Sequence, residues 1–246
     1  MREDLVTDAR LLCVHAHPDD ESLWTGGILA RYAGEQVPIK VITCTDGVRA
    51  DGSSVAAPGV RVAELRKAMA ILGAGEPQVL DYRDSGGAGS GAAEPGSFCA
   101  AVFDEVVRTL VTEIRAFRPT TVVTYDAFGV YGHPDHLQAH RATVAAVEAS
   151  AHPKLYPESG QPWQVAGLWL VTTPDLPFDA AVDVGPWLDT KWQALRAHES
   201  EFDRGAGVSV FTDPRVREQL LSTEYFSHRP APRPRTGSPA TDLLAG

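Results

Sequence analysis

The chain has 246 residues, 43% of them hydrophobic, which is enough for one large α/β domain with a substantial core. Its formal net charge of -10 argues against nucleic acid or an anionic membrane surface as a partner, because both attract clustered Lys and Arg. The chain begins without a signal-peptide pattern, and no segment reaches about 18 uninterrupted apolar residues. We therefore expect a cytoplasmic protein with a small or neutral ligand, and this composition leaves a homo-oligomer open. The cysteines, Cys13, Cys44 and Cys99, are odd in number and predict no disulfide framework.

Short apolar runs alternate with longer amphipathic ones, which is typical of parallel strands joined by crossover helices. The runs that predict strands are Leu11 to Val14, Pro38 to Thr43, Gln78 to Tyr82, Thr120 to Thr124 and Gly167 to Thr172. Helices are predicted over Ser22 to Ala33, Val62 to Leu72, Ser97 to Phe117, His136 to Ser150, Pro186 to Glu201 and Pro214 to Glu224. Together they predict a single-domain, Rossmann-like α/β fold with a doubly wound, mostly parallel sheet. Ligands bind at the carboxyl ends of the strands in such folds.

Three loops, residues 46–59, 83–96 and 126–134, are predicted at that edge of the sheet and would form the rim of a pocket. The glycine-rich loop 83–96 is either a lid that closes over a substrate or a tolerated insertion. We expect residues 1–226 to form the domain and the proline-rich residues 227–246 to form a mostly extended C-terminal tail.

Histidines and acidic residues follow the first predicted strand directly, in the segment HAHPDDE at residues 15–21. A cluster of this kind has no packing purpose at the mouth of a buried strand. The fourth predicted strand is followed by YGHPDH, residues 131–136. Because both segments lie at carboxyl ends of strands in one parallel sheet, they can meet across a pocket. Imidazole nitrogens and carboxylate oxygens bind divalent metals, so the pair of segments predicts a metal site.

Other roles are open for several of these residues. His136 and His140 lie four apart on one helix face and form a rival metal-binding pair. Asp19 is alternatively a helix N-cap, and Glu21 is interpreted as a first-turn carboxylate favoured by the helix dipole. His15 is interpreted as a strand-end histidine with a structural hydrogen bond. Isolated histidines, among them His198, are treated as ordinary side chains.

The segments HAHPDDE and YGHPDH resemble those of the zinc-dependent N-deacetylases of the PIG-L/LmbE-like family. They are similar in particular to the mycothiol-pathway deacetylases that act on N-acetylglucosamine linked to inositol. Three further segments carry the same resemblance: RVAEL from Arg61, RDSG from Arg83 and KWQALRAH from Lys191. The resemblance therefore spans roughly residues 10 to 200.

The resemblance implies that His17, Asp20 and His136 bind Zn²⁺, with Fe²⁺ as an alternative accepted by the same ligand types. It implies that Asp19 is the general base for a zinc-bound water and that His133 is a second catalytic histidine. The implied reaction is hydrolysis of an N-acetyl or other N-acyl amide on a small molecule that contains an amino sugar.

Two neighbours of His133 are expected to assist it. Asp135 is predicted to orient His133 and to raise its pKa, so that a protonated His133 stabilises the oxyanion or protonates the departing amine. Tyr131 is predicted to help polarise the carbonyl group, and the alternative is that it packs as an ordinary loop aromatic.

Substrate binding is assigned to two residues by the resemblance. Arg61 and Asp84 are expected to hold sugar hydroxyls, and the alternative for Arg61 is a surface residue paired with Glu64. Two departures from the mycothiol-pathway pattern, at residues 45–51 and at Trp24–Thr25, leave open a substrate that differs from that of the mycothiol-pathway enzymes. Trp24 either stacks on a sugar or lines an acyl pocket, or it packs as a helix residue.

Two other activities within the same chemistry are an amidase and a deacetylase that tailors a natural product or a mycothiol conjugate. From another class, a non-catalytic sugar- or nucleotide-binding module predicts the loss of at least one chemical residue, yet the residues implied for catalysis and metal binding are all present. A dinucleotide-dependent oxidoreductase is disfavoured, because the first strand leads into acidic residues and not into a glycine-rich phosphate turn.

Overall fold

A computed structural model of the chain describes residues 9–53, 56–87, 94–203 and 207–230. The strands are β1 Leu11–His15, β2 Ile39–Arg49, β3 Gln78–Asp84, β4 Thr121–Tyr125, β5 Gly167–Thr172, β6 Ala180–Asp183 and β7 Thr223–Pro230. The helices are α1 Asp20–Trp24, α2 Gly26–Gly34, α3 Val60–Leu72, α4 Phe103–Phe117, α5 Gly129–Gly132, α6 Pro134–Ser150, α7 Leu188–Arg196, α8 Glu199–Asp203 and α9 Pro214–Leu221.

All the strands belong to one sheet in the order β3-β2-β1-β4-β5-β7-β6. The five strands from β3 to β5 run parallel, and β7 pairs antiparallel with both β5 and β6. The chain winds outward from β1 to β3 and then returns to β4 on the other side of β1, so the winding direction reverses between β1 and β4. Ligands bind at such a reversal in doubly wound folds. The predicted fold class is confirmed.

Three of the predicted helices are interrupted in the structure. Thr25 leaves the helical conformation at φ -135° and ψ 6°, which separates α1 from α2. Residues 101 and 102 are extended, so α4 begins at Phe103 and only a short 3₁₀ turn precedes it. The predicted helix over 186–201 divides into α7 and α8. Apolar periodicity continues across these breaks, which is why the sequence pattern does not reveal them.

The predicted boundary between the domain and its tail is wrong, because residues 227–230 belong to β7 and pair with β5. The predicted last helix likewise ends at Leu221, before β7 begins. β2 and β3 continue through residues 49 and 84, so the predicted loops 46–59 and 83–96 begin inside strands. Residues 54–55, 88–93 and 231–246 lie outside the described residues, and with them the middle of the predicted lid and most of the predicted tail.

The core lies between the sheet and the helices on its faces. It contains most of the side chains of β1 and β4, which are buried on both faces. Cys13 and Cys44 are buried within it as free thiols, and Cys99 is also free, as expected. No helix in the described part of the chain is long and apolar enough to cross a membrane.

A buried ion pair joins β7 to the helices beside the sheet. Lys191 Nζ donates to Glu224 Oε1 at 2.7 Å, and both side chains are almost fully buried. The Glu224 carboxylate also accepts from the backbone N–H groups of Gly27 and Ile28, at 2.7 and 3.0 Å. It therefore satisfies amide groups at the start of α2 that have no partner within the helix.

Lys191→Met is expected to lower the free energy of unfolding by about 3–5 kcal/mol, because Glu224 stays buried without its cation. Chemical denaturation measures the change. The matched control is Arg229→Met, which breaks an exposed pair with Glu148 and should cost less than about 1 kcal/mol. Equal losses in the two variants would contradict the prediction.

Candidate active site

The two histidine-containing segments meet at the carboxyl ends of β1 and β4. β1 leads through His17 into α1, which begins at Asp20. β4 leads through α5 into α6, whose first turn carries His136. Since β1 and β4 are paired neighbours, the topology brings these side chains to one point at the edge of the sheet.

The three predicted metal ligands form a compact donor set. His17 Nδ1 lies 3.3 Å from Asp20 Oδ2 and 3.3 Å from His136 Nε2. His136 Nε2 lies 3.4 Å from Asp20 Oδ1. Two ligand atoms bound to one tetrahedral zinc ion are about 3.4 Å apart, since each lies about 2.1 Å from the metal. The spacing of His17 Nδ1 and His136 Nε2 therefore fits a single divalent cation, and Asp20 reaches these two nitrogens through different oxygens of its carboxylate.

Hydrogen bonds on the far side of each imidazole leave the inward nitrogens free. His17 Nε2 lies 3.1 Å from Asp135 Oδ2, and a carboxylate can only accept, so the proton of a neutral His17 resides on Nε2. His136 Nδ1 donates in the same way to the carbonyl oxygen of Gly129 at 3.1 Å. The lone pairs of His17 Nδ1 and His136 Nε2 consequently face Asp20. Metal-bound histidines in proteins are oriented in this manner.

His133 offers two other arrangements. Ring nitrogens of His17, His133 and His136 all lie within 4.8 Å of one another, and so do ligand atoms of His17, His133, Asp84 and Asp135. We favour Asp20 as the third ligand because its oxygens are at 3.3–3.4 Å from both histidine nitrogens. His133 Nδ1 already accepts a hydrogen bond from the backbone N–H of Asp135 at 3.2 Å.

The site carries an excess of negative charge around His17. Burial lowers the pKa of His17, but the carboxylates of Asp84, Asp135 and Asp20 outweigh burial and raise it well above its usual value. A buried cluster of this composition needs a cation, and a metal ion at the donor set supplies it. The residues therefore fit a divalent metal in charge as well as in spacing.

Tyr125, the last residue of β4, contacts two of the predicted ligands, Asp20 and His136, and the sequence did not predict this role. Its hydroxyl donates to Asp20 Oδ2 and accepts from the backbone N–H of Ala16, both at 2.7 Å. Its ring stacks on His136, with centroids 4.0 Å apart and planes 13° from parallel. An aromatic residue at the end of a buried strand resembles any core residue, so no sequence signal distinguished it.

Tyr125→Phe is expected to weaken metal binding by about 10–100-fold, because Asp20 loses the hydroxyl group that orients it. The measurement is a zinc titration in competition with a chromogenic chelator. Tyr82→Phe, on a tyrosine that packs against Phe98, is the control and should bind metal like the wild type. An unchanged metal affinity in Tyr125→Phe would show that the hydroxyl has no orienting role.

Asp19 lies next to the donor set in a strained conformation. Its φ of 115° falls in the left-handed region that non-glycine residues rarely adopt. Its side chain makes no capping hydrogen bond, so the helix-cap alternative is wrong for its carboxylate. The carboxylate instead lies 3.3 Å from Arg61 Nη2. Burial raises the pKa of Asp19 to about 7, although Arg61 opposes the shift.

The charge of Asp135 raises the pKa of His133, as predicted, but larger effects outweigh it. The Asp135 carboxylate accepts from His17 Nε2 and from the backbone N–H of Ser85, and it does not bond His133. Burial, followed by His17 and His136, lowers the pKa of His133 to about 4. His133 is therefore neutral near pH 7, and its proton resides on Nε2 because Nδ1 accepts from the Asp135 N–H.

The PIG-L family, described as GlcNAc-PI de-N-acetylase, matches residues 12–147. A 1D-myo-inositol 2-acetamido-2-deoxy-alpha-D-glucopyranoside deacetylase of Rhodococcus jostii (strain RHA1) is 37% identical over 268 aligned residues, which cover 90% of this chain and 91% of the relative. The chain belongs to the PIG-L family. PIG-L proteins are metal-dependent N-deacetylases, so the chain is an enzyme of this hydrolase class. The prediction of an N-deacetylase from the segments HAHPDDE and YGHPDH is therefore confirmed. The alternative, a non-catalytic binding module, is not supported.

Solved structures share the fold of this PIG-L enzyme. The conserved protein TT1542 from Thermus thermophilus aligns with a TM-score of 0.69 and 27% identity, covering 96% of this chain and all 100% of that one. The N,N'-diacetylchitobiose deacetylase from Pyrococcus horikoshii aligns with a TM-score of 0.72 and 21% identity, covering 93% and 86% of the two chains. The second likeness supports the fold alone.

The other histidines of the PIG-L domain have structural partners. His140 Nδ1 donates to the carbonyl oxygen of Tyr125 at 2.8 Å, so this nitrogen has no lone pair for a metal ion. The rival pair of His136 and His140 is therefore not supported. His15 bonds Thr25 Oγ1 at 3.0 Å, which confirms its structural interpretation. His198 is buried and lies 2.8 Å from Glu21 Oε1, a contact that the sequence did not reveal.

Arg61 and Asp84 both lie inside the PIG-L site. Asp84 is buried, with Oδ1 at 3.6 Å from His17 Nε2 and 3.8 Å from His133 Nε2. Arg61 is also buried, so the surface alternative is wrong, and Glu64 bonds Ser200 instead. A Cβ atom at Gly47, whose φ is 74°, would lie within 2.8 Å of the Arg61 side chain. Only glycine therefore fits at position 47 while Arg61 keeps its place.

Two aromatic side chains, Trp24 and Tyr131, lie beside the donor set. The Trp24 indole N–H donates to Asp20 Oδ1 at 3.1 Å, and its ring stacks on Tyr131 with centroids 6.5 Å apart. Tyr131 is 57% exposed and its ring centre lies 5.0 Å from that of His136. Trp24 also lines a pocket of about 260 Å³, whose other apolar walls include Leu23, Phe211, Leu220 and Tyr225.

Proposed function

We propose that this enzyme removes the N-acetyl group from N-acetylglucosamine joined to inositol, or from a closely related amino sugar, with Zn²⁺ as its metal. The observation that carries the proposal is the donor set of His17, Asp20 and His136, with interatomic distances of 3.3–3.4 Å and with Asp19 beside it. The Rhodococcus jostii relative, whose name states this substrate, supports it across 90% of the chain.

Zn²⁺ is proposed because three protein ligands of the His and Asp type are usual for catalytic zinc, with a fourth position open. Fe²⁺ is the alternative, since the same ligands accept it. When bound, the metal supplies Lewis-acid chemistry, which lowers the pKa of water and polarises an amide carbonyl.

Asp19 is the proposed general base. Its carboxylate adjoins the ligand Asp20, and a pKa of about 7 suits a group that must both take and return a proton near neutral pH. Asp19 takes the proton of the attacking water and can return it to the amine nitrogen as the C–N bond breaks. The products are then acetate and a free amino sugar.

His133 is the proposed hydrogen-bond donor to the amide oxygen as that oxygen becomes negative. A neutral imidazole with its proton on Nε2 can perform this task, and a donor of this kind contributes about 3–4 kcal/mol to the transition state. Tyr131, at the rim, is placed to assist His133. Asp135 acts indirectly, by holding His17 in the orientation that binds metal.

Asp84 is proposed to contact sugar hydroxyls from its position between His17 and His133. Arg61 is a weaker candidate for substrate contact, because its guanidinium already contacts the backbone oxygens of Pro18 and Gly47. Substrate contact by Arg61 therefore requires a change in these contacts.

A second candidate function is hydrolysis of a larger N-acyl or conjugated substrate, as in an amidase or an enzyme that tailors a natural product or a mycothiol conjugate. The pocket behind Trp24 favours it, because the apolar part of its lining suits a hydrocarbon group, although Lys191 and Glu224 also line it.

The test is release of free amine from a panel of N-acylglucosamine compounds by the metal-loaded enzyme, with a chelator control. The panel includes the inositol-linked compound, longer N-acyl chains and bulky conjugates. Chelator-sensitive release that is fastest with the inositol-linked acetamide supports the first function. Preference for long acyl groups or conjugates supports the second, and no release by metal-containing protein contradicts both.

A further inference from the structure

A buried glutamate, Glu21, accepts a hydrogen bond from the backbone of Asp19. The Asp19 N–H donates to Glu21 Oε2 at 3.0 Å, and Ser22 Oγ donates to Glu21 Oε1 at 2.5 Å. Glu21 was interpreted from the sequence as a first-turn carboxylate, and this bond to the residue before α1 agrees with that role. Its side chain is fully buried, however, which the dipole of a five-residue helix does not explain.

The partner of Glu21 comes from a distant segment. His198, between α7 and α8, places Nε2 2.8 Å from Glu21 Oε1, and both side chains are inaccessible to solvent. An isolated buried pair of this type is weak evidence for stability, since apolar residues of similar volume are often as stable. Its position, one hydrogen bond from the proposed general base, points instead to a role in the site.

The same segment also reaches the side chain of Asp19. Glu201, on α8, places Oε1 3.1 Å from Arg61 Nε, and Arg61 Nη2 lies 3.3 Å from Asp19 Oδ1. Residues 198–201 therefore support Asp19 twice, through Glu21 at its backbone and through Arg61 at its carboxylate. Such double support can maintain a left-handed φ of 115° in a non-glycine residue.

We propose that Glu21 and His198 are positioning residues that hold Asp19 in its strained backbone conformation, so that its carboxylate faces the reacting water. The inference rests on the proposed role of Asp19 as general base. The α7–α8 junction carries none of the proposed metal ligands and no proposed base. The inference gives this junction a function in the reaction.

The test begins with Glu21→Leu, which removes the acceptor of the Asp19 N–H. We expect kcat to fall about 10–100-fold, because misplacing a catalytic group by about 1 Å has effects of this size. KM and bound metal should not change. Glu21→Gln should restore most of kcat, since its amide oxygen still accepts from the Asp19 N–H, and its amide nitrogen donates to His198 Nε2 when the proton of the neutral ring lies on Nδ1.

A readout that needs no substrate is hydrogen exchange of the Asp19 backbone amide, followed by NMR. Exchange should be faster in Glu21→Leu than in the wild type and near the wild-type rate in Glu21→Gln. Because this measurement is independent of turnover, it separates failure of the inference from failure of the proposed activity.

The matched control is Glu64→Leu. Glu64 is buried on α3 and binds Ser200 of the same α7–α8 junction, through the backbone N–H at 2.9 Å and the hydroxyl at 2.6 Å. The variant removes a buried carboxylate that contacts the junction but keeps the contacts of Glu21 with Asp19 and His198, and that of Glu201 with Arg61. Its kcat and its exchange at Asp19 should stay within about twofold of the wild type.

A double-mutant cycle with Asp19→Asn decides whether Glu21 acts through Asp19. In that background Glu21→Leu should change the residual kcat by less than about twofold, since the group it positions no longer accepts a proton. If Glu21→Leu does not fold, Glu21→Leu with His198→Leu replaces both buried partners by apolar groups and carries the same expectations. Unchanged kcat and exchange, an equal loss in Glu64→Leu, or an additive loss in the cycle would overturn the inference.

Discussion

Asp19→Asn is expected to lower kcat by about 10²–10⁴-fold while the enzyme retains its metal, because the amide keeps the shape of the side chain but cannot accept a proton. Single-substrate kinetics on the compound found in the panel give kcat. Elemental analysis of the purified protein gives the metal content.

Asp20→Asn is the informative comparison, since it makes the same replacement of a carboxylate by an amide in the neighbouring residue. That variant should lose metal, because Asp20 lies 3.3–3.4 Å from both histidine donors and Asp19 is not part of the donor set. Wild-type turnover in metal-loaded Asp19→Asn would rule out the general-base role. Loss of metal from Asp19→Asn would instead make Asp19 a ligand.

His136→Ala is expected to abolish both metal binding and amine release, since it removes one of three converging donors. Chelation of the wild type should have the same effect on turnover, and added Zn²⁺ should restore the wild type but not the variant. Metal content and turnover are measured on the same preparations.

His140→Ala is the control for His136→Ala, because the two histidines lie four apart on α6. His140 binds the carbonyl oxygen of Tyr125. Its removal should therefore leave the metal content near that of the wild type. Metal loss in both variants would revive the rival pair, and retained metal in His136→Ala would exclude His136 from the donor set.

Each acidic residue of the site contacts a different group, and its proposed role follows from that contact. Asp20 faces the proposed metal position, and Asp135 faces the outer nitrogen of His17. Asp19 faces Arg61, and Glu21 faces the backbone of Asp19. Neighbours in the sequence therefore have different tasks, and a carboxylate of one motif can serve a histidine of the other.

The sequence by itself determined the fold class and the parallel strands β1 to β5, and it predicted the residues that we propose as metal ligands. Apolar runs of four to six residues are a local property, and parallel strands must be buried on both faces. The position of HPDD and HPDH after two such runs then places both motifs at one edge of the sheet by a general rule of topology. These inferences needed no knowledge of which side chains touch.

Only the tertiary structure decided which partner each side chain has. Tyr125 and Asp20 are 105 residues apart, His17 and Asp135 are 118 apart, and Glu21 and His198 are 177 apart. The antiparallel strands β6 and β7 were likewise recognisable only by their pairing. Such contacts depend on backbone path, burial and tautomer, and none of these leaves a local pattern in the chain. That is the physical reason why the metal site could be predicted and the network that orients it could not.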